Sequence, residues 1–294
     1  MSSAPGRVFA PMPLAATAEE VRERVEAWRE ARQTVVLVPT LGNLHEGHLS
    51  LVRLARNIGD RVVVSIFVNP TQFGPTEDFA HYPRTLEEDR AKLAEAGTVD
   101  LLFVPDEKEI YPFGTERAVR FVLPPLSREL CGATRPGHFD GVASVVCRLL
   151  NVVEPNTLVL GRKDYQQLVL VEHMVADLRL PVRVVSGATF REPDGLAMSS
   201  RNRYLTEAER GRAPRLHAVL EETQQRLRAG SRDYSALERE AMDRLREAGF
   251  RPDYVEVRRA AGLTKPETGD DASALIVLAA AWLGGARLLD NTSV

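Results

Sequence analysis

The segment Val38-Pro39-Thr40-Leu41-Gly42-Asn43-Leu44-His45-Glu46-Gly47-His48-Leu49 closes an apolar run and then sets two histidines three residues apart around a glycine. At that spacing the two imidazoles share one face of a helical first turn. There the free backbone N–H groups and the positive end of the helix dipole attract anions. Pro39 and Gly42 shape the turn, and Gly47 lets a ligand approach the backbone. Two alternatives stand beside the anion site. One is zinc, the weaker, because HExH is not HExxH and no third ligand is evident, so no metal ligand is assigned. The other is a pair of ordinary cap or surface histidines. A GxGxxG dinucleotide motif is absent.

Further polar clusters follow other apolar runs. GRKDYQQL, residues 161–168, offers Lys163 as a mobile point charge for a phosphate, Asp164 as a helix cap, and Gln166 and Gln167 for a polar substrate. AMSSRNRY, residues 197–204, places Ser199, Ser200, Arg201 and Arg203 in a glycine-containing loop, a composition suited to phosphate or simply to a helix N-cap. NPTQFG contributes Asn69 and Gln72, and RPGHFDG contributes Arg135 and His138. No Ser/His/Asp order and no CxxC stands out. Polar clusters at sheet edges and one flexible joint suit a nucleotide held between two domains, in an ATP-using transferase or ligase.

The elements that must position these residues are legible in the periodicity. Thr17-Ala18-Glu19-Glu20 is a capping box opening a helix to about residue 31, and Thr85-Leu86-Glu87-Glu88 reads as another, for a helix to about residue 96. The β-branched runs at 34–40 and 61–70 predict strands buried on both faces; 99–105 and 181–187 predict further strands, 156–164 a strand running into a turn, and a shorter strand is expected near Val119 to Val122. Strands alternating with helices at this spacing predict a parallel sheet covered by helices on both sides, where ligands bind at the carboxyl edge. The character changes near residue 190. Residues 206–249 are charged and helical, and short strands follow. The expected division is 1–189 and 190–294, the second part being a smaller α+β unit.

The 294 residues carry a formal net charge of −3, which excludes a broad electrostatic attraction to nucleic acid or anionic membranes, so an anionic ligand needs a local site. No run approaches the ~20 apolar residues of a membrane span. The N-terminal stretch is not a convincing signal peptide, since Pro11 and Pro13 cut its apolar part and Arg7 alone supplies its charge. The two cysteines, Cys131 and Cys147, have no metal or disulfide spacing and suit reduced thiols in the cytoplasm.

Taken together, PTLGNLHEGH, FVNPTQFG, YPRT, RPGHFDGV, GRKDYQQL and MSSRNRYL resemble, in order and spacing, the pantoate–β-alanine ligases (the pantothenate synthetase family), within the wider HIGH-type nucleotidyltransferases. The resemblance runs from about residue 34 to 291. It implies a Rossmann-like domain, a C-terminal lid domain and usually a homodimer. It implies an enzyme that converts ATP and pantoate to pantoyl adenylate and pyrophosphate, then lets β-alanine attack to give pantothenate, a coenzyme A precursor, and AMP. Mg²⁺ accompanies the ATP.

Carried over by position, the resemblance assigns ATP binding to Leu41, Gly42, Asn43, Leu44, His45, Glu46, Gly47 and His48, to Gly161, Arg162, Lys163 and Asp164, to the backbone of Phe190, and to Met198, Ser199, Ser200 and Arg201. It gives His48 and His45, with Lys163 and Arg201, the catalytic roles, Gln72 a contact shared by pantoate and β-alanine, and Gln167 another pantoate contact. Three departures stand out: Leu41 for a commoner Met, Arg162 for a usual Glu, and Cys131 where some members have Glu. Residues matching Glu88 and Asp89 are associated with Mg²⁺ in some members, but Lys92 weakens that assignment, and Glu88, with its capping-box position, is read as structural. The alternatives are another HIGH-type adenylyltransferase with a different acceptor and an inactive ATP-binding sensor.

Overall fold

A computed structural model describes residues 12–75 and 77–294. The N-terminal stretch through Pro11, with Arg7, lies outside the described residues. The chain begins with the short strand β1 (Leu14–Ala15) and helix α1 (Ala18–Glu30). Then come β2 (Val35–Thr40), α2 (Glu46–Ile58), β3 (Arg61–Ile66), α3 (Leu86–Ala96), β4 (Leu101–Phe103) and the single turn α4 (Glu107–Ile110). A second single turn, α5 (Cys131–Thr134), leads to α6 (His138–Val153), β5 (Thr157–Gly161), α7 (Tyr165–Asp177) and β6 (Arg183–Gly187). The remainder is α8 (Glu207–Arg212), α9 (Arg215–Arg228), α10 (Tyr234–Glu247) and the strands β7 (Arg251–Arg259), β8 (Leu275–Leu283) and β9 (Ala286–Ser293).

The first six strands form one parallel sheet in the order β1-β4-β3-β2-β5-β6. The strand order reverses at β2 and β5, which is where open sheets of this kind leave a crevice. β2 shows why its sequence does not alternate: Val35 and Leu37 join the core on one face, while Val36 and Val38 join that on the other. β7, β8 and β9 form a separate antiparallel sheet, packed against α9 and α10. This is the α/β architecture expected, a Rossmann-like sheet followed by a smaller α+β unit.

Several local expectations need correction. Residues near Val119 to Val122 form no strand: Val119 and Val122 are exposed, and no neighbouring strand is there to pair with them among the described residues. The Thr17 capping box forms, but Thr85 makes no such cap and instead donates its hydroxyl to the Asp89 carboxylate. The run at 61–70 stops being a strand at Ile66, because Asn69 caps a 3-10 turn over Pro70–Gln72. The run at 156–164 behaves as expected, a strand to Gly161 running into a 3-10 turn over Arg162–Asp164. β1 was not foreseen, two residues being too few to carry a pattern. The C-terminal strands, expected to be short, run to eight or nine residues.

Candidate active site

A cleft of about 250 Å³ opens at the carboxyl ends of β2 and β5. Pro39, Thr40 and Leu41 line it from one strand and Val159, Leu160 and Gly161 from the other, so the reversal of strand order is what makes the room.

His45 is the N-cap of α2 and His48 lies three residues inside it. Their rings sit 4.1 Å apart, centroid to centroid. The His45 Nδ1 accepts the Gly47 N–H at 3.2 Å, and the His48 Nδ1 accepts the His45 N–H at 3.3 Å. A backbone N–H can only donate, so both Nδ1 atoms are acceptors and each neutral ring carries its proton on Nε2. Burial, then the charges of Lys163 and Lys92, lower the His45 pKa to about 4. Burial, then His45 and the two lysines, lower that of His48 to about 3. The pair therefore stands at neutral pH as two uncharged donors in a fixed tautomer. Gly47 is held to glycine by the first ring, since a Cβ there would meet the His45 Nδ1 and Cε1 at 2.9 Å.

Across the cleft, Lys163 leaves the end of β5 with its ammonium 3.6 Å from the Asp164 carboxylate. The turn that carries it is fastened from the antiparallel sheet: the Asn291 Nδ2 donates to the carbonyls of both Arg162 and Lys163, each at 2.9 Å. Arg162 donates to the Ser293 hydroxyl at 3.2 Å and does not line the cleft.

Gln72 is buried at the floor. The Asn69 Nδ2 donates to its Oε1 at 3.1 Å, and Asn69 is itself oriented by the Tyr111 hydroxyl, which donates to its Oδ1 at 2.8 Å. The chain of donors leaves the Gln72 Nε2 as the group offered to a ligand. His138 donates from Nδ1 to the Gln72 carbonyl at 2.7 Å and accepts from Arg135 at Nε2, 2.8 Å, with its pKa lowered to about 4 by burial and then by Arg135. Arg135 makes a bidentate pair with Glu77. Phe67, Val142, Val145 and Val146 give this end an apolar wall.

The third side is a short hairpin over residues 190–198, bridged between Arg191 and Ala197, with the Met198 N–H donating to the Phe190 carbonyl at 3.0 Å. Ser199 caps the 3-10 turn that follows, accepting the Arg201 N–H at 3.3 Å. Arg191 anchors the hairpin to β9 through both oxygens of the buried Asp290.

Residues 14–293 match the family model for pantoate–β-alanine ligase. The chain belongs to the pantoate–β-alanine ligase family. It is 55% identical over 270 residues to a pantothenate synthetase of Thioalkalivibrio sulfidiphilus, covering 92% of this chain and 93% of that one. Its fold is similar to the crystal structure of pantothenate synthetase from Thermus thermophilus, with a TM-score of 0.88 at 44% identity, covering 96% and 99% of the two chains. A pantoate–β-alanine ligase from Francisella tularensis, solved with β-γ ATP and β-alanine, superposes with a TM-score of 0.80 at 33% identity over 96% and 97%. The enzyme is a ligase that joins pantoate to β-alanine.

Set in the ligase, the residues singled out in the sequence divide in two. Leu41, His45, Gly47, His48, Gln72, Gly161, Lys163, Asp164, Gln167, Phe190, Met198, Ser199, Ser200 and Arg201 all line the one cleft. Gly42, Asn43, Leu44, Glu46 and Arg162 do not. Leu44 is buried in the core, and Glu46 turns outward to Arg53 at 3.0 Å. The first turn of α2 is also less open to anions than its sequence implies, because the histidine rings take two of the N–H groups there. Arg287 lines the cleft and Asn291 fastens the Lys163 turn, yet neither carries a motif that could have flagged it. Gln166 looked equivalent to Gln167, but its amide is spent on Cys131 N–H and on the carbonyls of Leu126 and Glu129.

Proposed function

We propose that this ligase works through an adenylate, consuming ATP. A pantoate carboxylate oxygen attacks the α-phosphorus, the bond to the β-phosphate bridging oxygen breaks, and pyrophosphate leaves. The β-alanine amine then attacks the carbonyl of the mixed anhydride, and AMP departs as pantothenate forms. The observation that carries this reading is the fixed pair of neutral imidazoles at the start of α2, facing Lys163 across a cleft with an apolar, glutamine-bearing end.

A carboxylate needs no general base to attack at neutral pH. It needs placement and relief of charge repulsion. The His45 and His48 Nε2–H groups supply oriented donors without desolvating a cation, and Lys163 and Arg201 supply the positive charge. Gln72 offers its Nε2 to a pantoate oxygen, Gln167 flanks it, and the wall of Phe67 and the α6 valines suits the two methyl groups of pantoate. The backbone of Phe190 and the 198–201 turn border the nucleotide.

Mg²⁺ fits this cleft as an ion carried by the phosphates and water, a common arrangement for it. Among the described residues no group of three or more His, Cys, Asp or Glu could hold a metal, and Asp164 is the one carboxylate lining the cleft. When bound, the ion neutralises phosphate charge.

The unit at 190–294 is assigned as the lid over the 1–189 domain, with the DGLAMSSR loop, residues 194–201, as hinge and lid contact. Closure would keep water from the anhydride. ATP with pantoate should protect this loop in limited proteolysis, and equal cleavage with and without them would end that assignment. A homodimer through the parallel-sheet half suits the exposed Phe113, Val119 and Val122, since a second copy could cover them. The cytoplasm suits two free thiols, Cys131 and Cys147, and among the described residues no helix is long and apolar enough to cross a membrane.

The deciding experiment is AMP release with each substrate omitted in turn. Release should need ATP and pantoate and be driven to turnover by β-alanine. AMP formed equally well without either acid would overturn the reading.

A further inference from the structure

Asp89 lies on α3, outside the cleft, and is fully buried. Its carboxylate takes three donors: the Asn43 N–H at 2.8 Å, the Leu44 N–H at 2.7 Å and the Thr85 hydroxyl at 3.2 Å. Three residues on, Lys92 reaches the same strip of backbone, its Nζ donating to the Leu44 carbonyl at 2.8 Å. Both backbone polar groups of Leu44 are thus taken by one helix, immediately before His45.

That strip is gripped from outside as well as by its own turn. Gly42 and Asn43 both stand at positive φ, +81° and +51°, a left-handed pair that these two residue types accept, and the carboxylate fixes where the turn sits. A Cβ at Gly42 would come within 3.2 Å of the Asp89 Oδ2, so the carboxylate is seated directly against the turn. A carboxylate buried beside a phosphate site opposes the ligand unless a cation offsets it, and Lys92 supplies one from the same face of α3. The Lys92 charge is also among those that keep both histidines neutral.

We propose that Asp89 and Lys92 are a positioning pair for adenylation: together they clasp the backbone of residues 43–44 and so set where His45 and His48 present their Nε2–H groups. Neither touches substrate. Asp89 is thereby committed to two backbone N–H donors and the Thr85 hydroxyl and is not a ligand for the metal ion. This inference rests on the proposal that the two histidines serve the nucleotide phosphates.

The test is pantoate-dependent ATP–pyrophosphate exchange in the full-length protein, with Asp89→Asn, Lys92→Met, Lys92→Arg and His48→Ala. An amide at position 89 sets an NH₂ against backbone donors. The exchange kcat of Asp89→Asn should fall about 10²-fold, the loss expected of a displacement of about 1 Å. Its KM for ATP should move less than about threefold, since the loss is confined to the transition state. Its Mg²⁺ half-saturation should stay where it was. Lys92→Met should lose roughly tenfold, and Lys92→Arg should recover most of it, because a cationic donor to the Leu44 carbonyl returns. In ¹⁵N spectra of the imidazoles, Asp89→Asn should disturb the His45 Nδ1 acceptor signal while the protein remains folded. Exchange within about twofold of the parent in Asp89→Asn, or a loss recovered by raised Mg²⁺, would overturn the clasp. Should Asp89→Asn not fold, parental kcat in Lys92→Met would overturn it instead. The His48→Ala arm separates the two readings. Normal exchange there removes the histidines from the reaction, whereas its loss alongside an active Asp89→Asn removes only the clasp.

Discussion

The two turns that face each other across the cleft are built by opposite means. The turn after β2 is held from inside the parallel-sheet half: its histidine rings cap their own helix, and Asp89 and Lys92 grip the residues before them. The turn after β5 has no such local lock. Its backbone carbonyls are taken by Asn291, which belongs to the antiparallel sheet. The neutral donors of the site are therefore set within the parallel-sheet half that carries them, while the Lys163 turn is bonded to β9.

The largest effect that would break this comparison is His48→Ala. Removing an oriented donor costs on the order of 10²-fold or more in the step it serves, here pyrophosphate exchange. Near-normal exchange would leave the two turns with no shared task. Next comes Asn291→Ala, which frees both carbonyls of the Lys163 turn. We expect roughly a tenfold loss of exchange, a partial misplacement, with the imidazole ¹⁵N signals unchanged. If the histidine signals shift as well, the two turns are not independently anchored.

A third test uses acid. In the folded chain His45, His48 and His138 have pKa values lowered to about 4, about 3 and about 4, against 6.5 when unfolded. Below 6.5 the unfolded state binds protons that the folded state refuses, so stability falls as pH drops from 6.5 towards about 4. Thermal midpoints measured across that window should decline, and a His138→Asn variant should soften the decline. A flat profile would mean that these rings are not held neutral. The smallest effect is Arg162→Glu. Its guanidinium bonds the Ser293 hydroxyl away from the cleft, so exchange should stay within about twofold, as for an exposed polar contact. A loss beyond about tenfold would bring Arg162 to the phosphates and give the β5 turn a second cation.

The sequence by itself determined the α/β class, the run of central strands and many of the polar residues that share the cleft. The unalternating runs of Val and Leu demand burial on both faces, and turn chemistry at strand ends is local enough to read by eye. His45, His48, Lys163 and Gln72 were legible for that reason. Only the tertiary structure decided how they are held. The extended segment near Val119 has strand composition but no partner strand, and pairing is not a local property. Thr85 begins what reads as a capping box, yet its hydroxyl is drawn to Asp89 by a turn 46 residues away from that aspartate in sequence. Arg162 sits among phosphate-binding types and is turned aside by a hydroxyl 131 residues later. Asn291, with no motif around it, fixes Lys163 across 128 residues. A side chain's type is written in the sequence, but its partner, and so its charge state, its tautomer and its aim, is settled only when the chain brings distant groups within a hydrogen bond of it.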